Sequence, residues 1–424
     1  MAEREGFEPS IRFWRILTFQ ASAFDHSATA PHALEGVAPN GKQPLPQGCE
    51  GWHKSFVMKH PFLLSVALLA SCNAAPAPAP TKESAPAASP AKTSALAPTE
   101  IVAAAPAADW AAIAPSDLLV MELAPDAKGA ARRVVIQLLP APFSQGWVGN
   151  IRALAAAKWW DGTSVNRVQD GYVVQWGDPD GEDKAKAKPL PAGLKVVPAG
   201  EYEASFLNLT GKGFQEFNPW PQPQQPPSKA GNNDPKTVDE AAGMMDQAMG
   251  SLLEGIMSAR LGDGYAPIVG FSDGFPVGAD MRNKETPRAW PIHCYGTVGV
   301  GRDYPPDTGS GAELYAVIGQ APRQLDRNIA VVGRVIEGME HLSSLPRGTG
   351  EIGFYKTAEE RTPILSIRIG SDVPGLPRYE YLSTESKSFA AYADARANRR
   401  DAFYIKPAGG VDICNVPVPV RRVK

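Results

Sequence analysis

The sequence is poor in cysteine and histidine, with 4 Cys and 6 His in 424 residues. Beyond residue 72 these are His293, His341, Cys294 and Cys414, and their spacing matches no recognised metal-binding motif. We therefore expect no metal site, and no other pattern in the sequence indicates a cofactor.

The chain also lacks an excess of charge of either sign, because 42 basic residues stand against 45 acidic ones. No stripe of Lys and Arg interleaved with aromatic residues is present to neutralise a phosphate backbone. We expect no nucleic-acid partner. Proline (41) and glycine (40) are plentiful, which disfavours a long helical bundle and predicts a β-rich domain with many turns.

The apolar run Phe62–Ala70 is too short to span a bilayer, follows Met58 and Lys59, and ends in small residues, as signal peptides do. Leu69–Cys72 resembles the bacterial lipobox, whose cysteine is acylated and becomes the mature N-terminus. We predict a lipoprotein signal peptide over residues 58–71 and a lipid anchor at Cys72. The alternative, a buried core segment, fits poorly because a tract of Ala and Pro follows at once.

Residues 1–57 precede this signal, and Met58 is a suitable initiator, so we interpret residues 1–57 as an extension from a wrongly assigned start. Residues 72–115 are dominated by Ala, Pro, Ser and Thr and predict an extended linker. Asn73 is not the Asp that, by resemblance to enteric bacteria, retains lipoproteins in the inner membrane. We expect a lipid-anchored protein of the bacterial cell envelope that faces the periplasm, with the outer membrane favoured.

Only Cys294 and Cys414 then remain for the folded part of the chain, because Cys49 lies in the extension and Cys72 is acylated. An oxidising compartment permits one disulfide bond between them. Two buried free thiols are the alternative, since the sequence does not give their Cα separation.

Two short runs, Leu118–Leu123 and Arg133–Leu139, are separated by a turn that contains glycine and predict a β-hairpin. Val148, Ile151 and Leu154 follow at helical spacing and predict a helix.

The segment Trp159–Asp178 carries the most specific pattern and resembles the cyclophilin family. In that family an aromatic-Asp-Gly turn is followed by Phe-His-Arg, four residues, Phe-x-x-Gln and Gly-Gly-Asp. The residues that match in register are Asp161-Gly162, Arg167, Tyr172, Gln175 and Gly177-Asp178. Asn166 and Trp176 replace the family's histidine and first glycine.

Four later segments resemble further strands and the closing motif of the family: Gly296–Arg302, Ala312–Val317, Val331–Met339 and Ile364–Ile369. The resemblance implies a mainly β fold, a cyclophilin-like eight-stranded antiparallel β-barrel capped by two helices. This domain is expected over residues 116–370, with an insertion at 179–292 where the family has a much shorter connection.

The resemblance also implies a peptidyl-prolyl cis-trans isomerase (EC 5.2.1.8) that assists the folding of exported proteins and binds proline-containing polypeptides. Rotation about the prolyl amide passes through a state without C–N conjugation, with a barrier of about 18–20 kcal/mol. A guanidinium that donates a hydrogen bond to the freed prolyl nitrogen favours this twisted state. By resemblance Arg167 has this role, while Gln175 binds the substrate backbone and helps to orient the arginine.

The proline ring requires an apolar pocket. The family positions that build this pocket correspond here to Tyr172, Val173, Tyr315 and Leu325. The family positions that contact the peptide beside the pocket correspond to Gly301 and Glu313. Gln324, Ile329 and Glu313 stand where the family has tryptophan, histidine and glutamine, and these departures predict weak catalysis. A catalytically weak or inactive proline-peptide binding module of the envelope is the alternative.

The insertion predicts proline-rich loops and one helix, opened by the capping-box pair Thr237 and Glu240. Gly270–Gly274 matches the Gly-x-Ser-x-Gly elbow of serine hydrolases, but Pro276 breaks the helix that this elbow requires. Residues 371–424 form a C-terminal tail with a helix-like segment at Ser386–Arg399, whose role the sequence does not reveal.

Overall fold

The computed structural model describes residues 95–210, 213–218, 243, 246 and 263–423. The expected extension, signal peptide, lipid anchor at Cys72 and first part of the linker lie outside these residues. So does the helix predicted at Thr237, except for Gly243 and Asp246, which are helical. No helix in the described part of the chain has the length and apolar character needed to cross a membrane.

The strands, in chain order, are β1 (Trp110–Ile113), β2 (Leu118–Leu123), β3 (Arg132–Leu138), β4 (Ser164–Val168), β5 (Val173–Gly177), β6 (Ala204–Ser205), β7 (Gln215–Glu216), β8 (Ile268–Ser272), β9 (Phe275–Asp280), β10 (Arg288–Pro291), β11 (Thr297–Val300), β12 (Leu314–Val317), β13 (Val331–Glu337), β14 (Thr362–Ile369), β15 (Tyr379–Leu382) and β16 (Val420–Arg422). The helices with described bounds are α1 (Pro98–Ala104), α2 (Gln145–Ala156), α3 (Leu207–Thr210), α4 (Met339–Ser343) and α5 (Lys387–Ala397).

Eight strands close into an antiparallel barrel in the order β11-β12-β5-β4-β14-β2-β3-β13. Alternate residues along β2, namely Leu119, Met121 and Leu123, belong to the main core, as the two-residue period of a strand requires. The predicted hairpin is β2 and β3, which pair from Leu118 to Leu123. The eight-stranded barrel expected from the sequence is confirmed.

Two helices pack against the barrel. α2 buries Val148, Ile151 and Leu154, the three residues whose spacing predicted it. The one-turn helix α4 follows β13 directly and places Leu342 in the same core.

The insertion contains a second, five-stranded antiparallel sheet in the order β6-β10-β9-β8-β7, where the sequence predicted loops and a helix. Its central hairpin carries the Gly-x-Ser-x-Gly motif. Asp273 and Gly274, with φ of 49° and 82°, form a two-residue turn between β8 and β9. Strand β9 therefore stands where a nucleophile elbow has its helix, which agrees with the sequence argument against a serine hydrolase.

The end of the expected linker folds together with the tail, so the linker prediction is wrong for residues 95–115. Strand β1 pairs with β15, and β15 pairs with β16. Trp110 is buried in a second core together with Phe389 and Tyr392 of α5. An Ala-rich segment with Pro98 at its first helical position forms α1. Apolar residues at 101, 102 and 110 make this segment a packed element and not a tether.

A disulfide bond joins Cys294, just before β11, to Cys414 in the tail, with 5.1 Å between their Cα atoms. Arg334 of β13 links the barrel to the insertion. Its guanidinium donates to Gln137 Oε1 at 2.8 and 3.0 Å and lies over the ring of Phe275 in the insertion. The barrel, the insertion and the tail are thus joined around β11 and β13.

Candidate active site

A cluster of buried apolar side chains lies where β5 and β12 pair beside the short 3-10 turn Arg323–Leu325. We name it the proline pocket, after the role that the family resemblance gives to these positions, and its members are Tyr172, Val173, Tyr315, Val317, Leu325 and Ile329. Antiparallel pairing sets Val173 opposite Val317 and Gln175 opposite Tyr315. Four of these residues were predicted from the sequence. Val317 was missed, although its position two residues after Tyr315 places both side chains on one face of β12.

Arg167 lies on β4, next to this pocket, because β4 pairs with β5 and sets Arg167 opposite Gln175. Its Nη1 donates to Gln175 Oε1 at 3.3 Å, and it also donates to the side chain of Gln169. Its Cζ lies 5.7 Å from the ring centroid of Tyr172, a pocket residue. Burial lowers the pKa of Arg167 to about 10, which leaves the guanidinium charged at neutral pH.

Arg167 is completely covered, with 0% of its surface exposed. The segment Gly350–Phe354, which we call the cover, contributes two contacts. Arg167 Nε donates to the carbonyl oxygen of Ile352 at 2.8 Å, and the ring centroid of Phe354 lies 5.5 Å from Cζ. A substrate therefore reaches the guanidinium only if some of the groups around it move, and the cover is one of them. The sequence carried no motif at these residues, and the cover was missed.

Gly301 lies next to the side chains of both Gln175 and Glu313. Gly301 lacks a Cβ where one would lie 3.0 Å from Glu313 Cβ and 3.4 Å from Gln175 Nε2. Glu313 accepts a hydrogen bond from the backbone N–H of Asp178 at 2.8 Å. Burial raises the pKa of Glu313 to about 8, so the carboxyl is largely protonated at neutral pH.

Two departures from the family pattern have clear structural positions. Asn166 spans an irregularity in the pairing of β4 and β5, where it donates to Gly177 O at 3.2 Å and accepts from Ser164 Oγ at 2.6 Å. Gln324 is exposed next to Leu325, so the pocket has no aromatic side chain at that position. In the described ranges no three His, Cys, Asp or Glu side chains cluster as metal ligands would.

The family described as "Cyclophilin type peptidyl-prolyl cis-trans isomerase/CLD" has a sequence model that matches residues 132–369. A solved structure similar to this chain is the cyclophilin AquaCyp293 from Hirschia baltica, at 20% identity and a TM-score of 0.49, covering 74% of this chain and 93% of that chain. Another is a cyclophilin type peptidyl-prolyl cis-trans isomerase from Cryptosporidium parvum in the presence of the dipeptide Ala-Pro, at 12% identity and a TM-score of 0.27, covering 59% and 98%. No curated protein matches.

The match with the family runs from the first residue of β3 to the last residue of β14 and takes in more than half of the chain. It contains Arg167, Gln175 and all the residues of the proline pocket. The chain belongs to the cyclophilin-type peptidyl-prolyl cis-trans isomerases.

Proposed function

We propose that the chain isomerises X-Pro bonds of exported proteins, with Arg167 stabilising the twisted amide while the proline ring lies in the proline pocket. The observation that carries this proposal is the position of Arg167, whose Cζ is 5.7 Å from the ring of the pocket residue Tyr172. A proline ring bound against Tyr172 would therefore lie close to this guanidinium.

The chemistry follows from the prolyl nitrogen. In a planar amide its lone pair is delocalised into the carbonyl, so it accepts no hydrogen bond. When the bond twists, the lone pair localises and accepts an N–H from the guanidinium. The interaction is therefore made in the transition state and not in either planar state, which is the requirement for acceleration. In a pocket that excludes water, the same hydrogen bond is stronger than in solvent.

Glu313 fits this proposal in its protonated form. A neutral carboxyl has one O–H donor and an acceptor oxygen, the two functions that a glutamine amide supplies. Because burial raises the pKa of Glu313 to about 8, the neutral form predominates below that pH. We propose that Glu313 contacts the peptide as the family's glutamine does, with Gly301 leaving room for the peptide backbone.

A second candidate function is favoured by one observation, the complete burial of Arg167. If the cover stays closed, the pocket binds proline peptides and the arginine takes no part. The protein would then be a non-catalytic proline-peptide binding module of the envelope, as the departures at Gln324 and Ile329 also suggest.

We further propose that the protein acts in the envelope, attached through Cys72 after removal of the signal peptide 58–71. The lipobox and the disulfide between Cys294 and Cys414 support this, since disulfides persist in oxidising compartments. Replacement of Cys72 by Ala should move the protein from the membrane fraction to the soluble fraction of lysed cells. Retention in the membrane fraction would exclude the lipid anchor.

One experiment separates the two functions. The exchange of an Ala-Pro peptide between cis and trans forms is measured by NMR, with and without the protein, and the chemical shifts of the peptide report binding. Acceleration supports the isomerase. Binding without acceleration supports the binding module. If the protein neither binds the peptide nor accelerates its exchange, both proposed functions are excluded.

A further inference from the structure

His293 directly follows the insertion and is completely buried. Its Nε2 is 2.8 Å from the hydroxyl oxygen of Tyr315, and its Nδ1 is 2.9 Å from Asp326 Oδ1. In the tautomer that donates Nδ1–H to the Asp326 carboxylate, Nε2 accepts the hydroxyl proton of Tyr315. The phenol of a pocket residue is therefore held by the residue that directly follows the insertion.

The same carboxylate extends the chain of contacts. Asp326 Oδ2 accepts from Arg323 Nε at 2.7 Å, and both terminal nitrogens of Arg323 donate to Asp263 at 2.8 and 2.9 Å. The side chains of Asp263, Arg323, Asp326 and His293 are 0–5% exposed. Asp263 belongs to the insertion. These four residues, with Tyr315, form what we call the His293 network.

The network joins two walls of the proline pocket. One wall is Tyr315 on the rigid barrel strand β12, and the other is Leu325 on the 3-10 turn that also carries Arg323. Asp326 follows Leu325 directly and is fixed by His293 on one side and Arg323 on the other. A displacement of this turn would break charge-assisted hydrogen bonds in a water-free environment, where each one is strong.

We infer that His293, Asp326, Arg323 and Asp263 are positioning residues that fix the distance between Tyr315 and Leu325, which makes the insertion a determinant of peptide affinity. This inference rests on the proposed binding of proline in the pocket. None of the four residues touches the reacting amide in this arrangement. Their effect is transmitted by the Tyr315 hydroxyl and by the backbone at Leu325.

The test uses the full chain and an Ala-Pro peptide. Asp263→Asn leaves the pocket residues intact but weakens the hold on Arg323, and Tyr315→Phe keeps the ring but removes its hydroxyl. We expect each to raise KM about tenfold, equivalent to about 1.4 kcal/mol of binding free energy, with kcat changed less than about twofold. In the double variant Tyr315→Phe/His293→Gln the rise in KM should be smaller than the product of the two single effects, because both changes break the link between His293 and Tyr315.

The matched control is Asp161→Asn, which breaks another bidentate carboxylate–arginine pair, with Arg368 at 2.6 and 2.7 Å. Its KM should equal that of the wild type. The Leu325 methyl resonances give a readout independent of turnover, and they should shift in Asp263→Asn but not in Asp161→Asn. Unchanged methyl shifts and KM in a folded Asp263→Asn variant would overturn the inference. If the wild type neither binds the peptide nor accelerates its exchange, the proposed function fails. The positioning role is judged separately in that case, because unshifted Leu325 methyl resonances in Asp263→Asn would still refute it.

Discussion

The most informative perturbation is removal of the ring that covers Arg167. In Phe354→Ala the backbone of the cover is unchanged, including the carbonyl of Ile352 that accepts from Arg167 Nε. What is lost is the contact between the guanidinium and the ring of Phe354, 5.5 Å from Cζ to the centroid. We therefore expect the cover to open more often and the isomerase to become faster.

The size of the effect follows from that contact. A guanidinium over an aromatic ring is stabilised by about 0.5–1 kcal/mol at an exposed site and by about 2 kcal/mol when desolvated. Since 1.4 kcal/mol is a factor of ten, the open state becomes about 2- to 30-fold more populated. If the open state is a minor species and the only competent one, kcat/KM rises by the same factor.

The assay is the exchange rate of an Ala-Pro peptide measured by NMR at equal protein concentrations. Phe403→Ala is the matched control, because Phe403 is 83% exposed in the tail, and it should leave the rate unchanged. A fall in kcat/KM for a folded Phe354→Ala variant would mean that Phe354 builds the site, and an unchanged rate would mean that the cover does not limit access. Either result would refute the reasoning.

Three further predictions concern stability, each measured by urea denaturation. For Glu313, the folded-state pKa of about 8 lies above the ordinary 4.5, so the stabilisation from its protonated form is complete below pH 4.5 and is lost as the pH rises through 8. The Glu313→Gln variant should gain on the order of 4 kcal/mol over the wild type between pH 5 and 8.5, and a constant difference would contradict the raised pKa. Reduction of the Cys294–Cys414 bond, which links residues 120 apart, should lower the free energy of unfolding by about 2–5 kcal/mol, and no change would mean that the bond is dispensable. Gly274→Ala, at a φ of +82°, should cost at least about 1–2 kcal/mol, whereas Gly200→Ala, with nothing within 4 Å of the added Cβ, should be nearly neutral; equal effects would refute the turn geometry.

The barrel and the pocket were predictable because short-range patterns encode them. The alternation along β2 and the spacing of Val148, Ile151 and Leu154 reflect burial on one face of a strand or helix. Tyr172 directly precedes β5 and Tyr315 lies in β12, two strands whose order follows the family pattern, so the resemblance predicted that these residues come together.

The cover, the sheet of the insertion and the folded end of the linker were not predictable for a different reason. Strands β6 and β7 have two residues each, too few to show a period. The segment 95–115 has the composition of a linker, and only its contacts with the tail, distant in sequence, give it a structure. The cover contacts Arg167 across 185 residues of sequence, a separation over which no local pattern gives information.

The central claim is that Arg167 accelerates isomerisation, and the most direct measurement compares the wild type with Arg167→Ala by NMR exchange on an Ala-Pro peptide. The account predicts that acceleration disappears in the variant while the peptide still binds, because the proline pocket is intact. Equal acceleration by the two proteins, both folded, would contradict it.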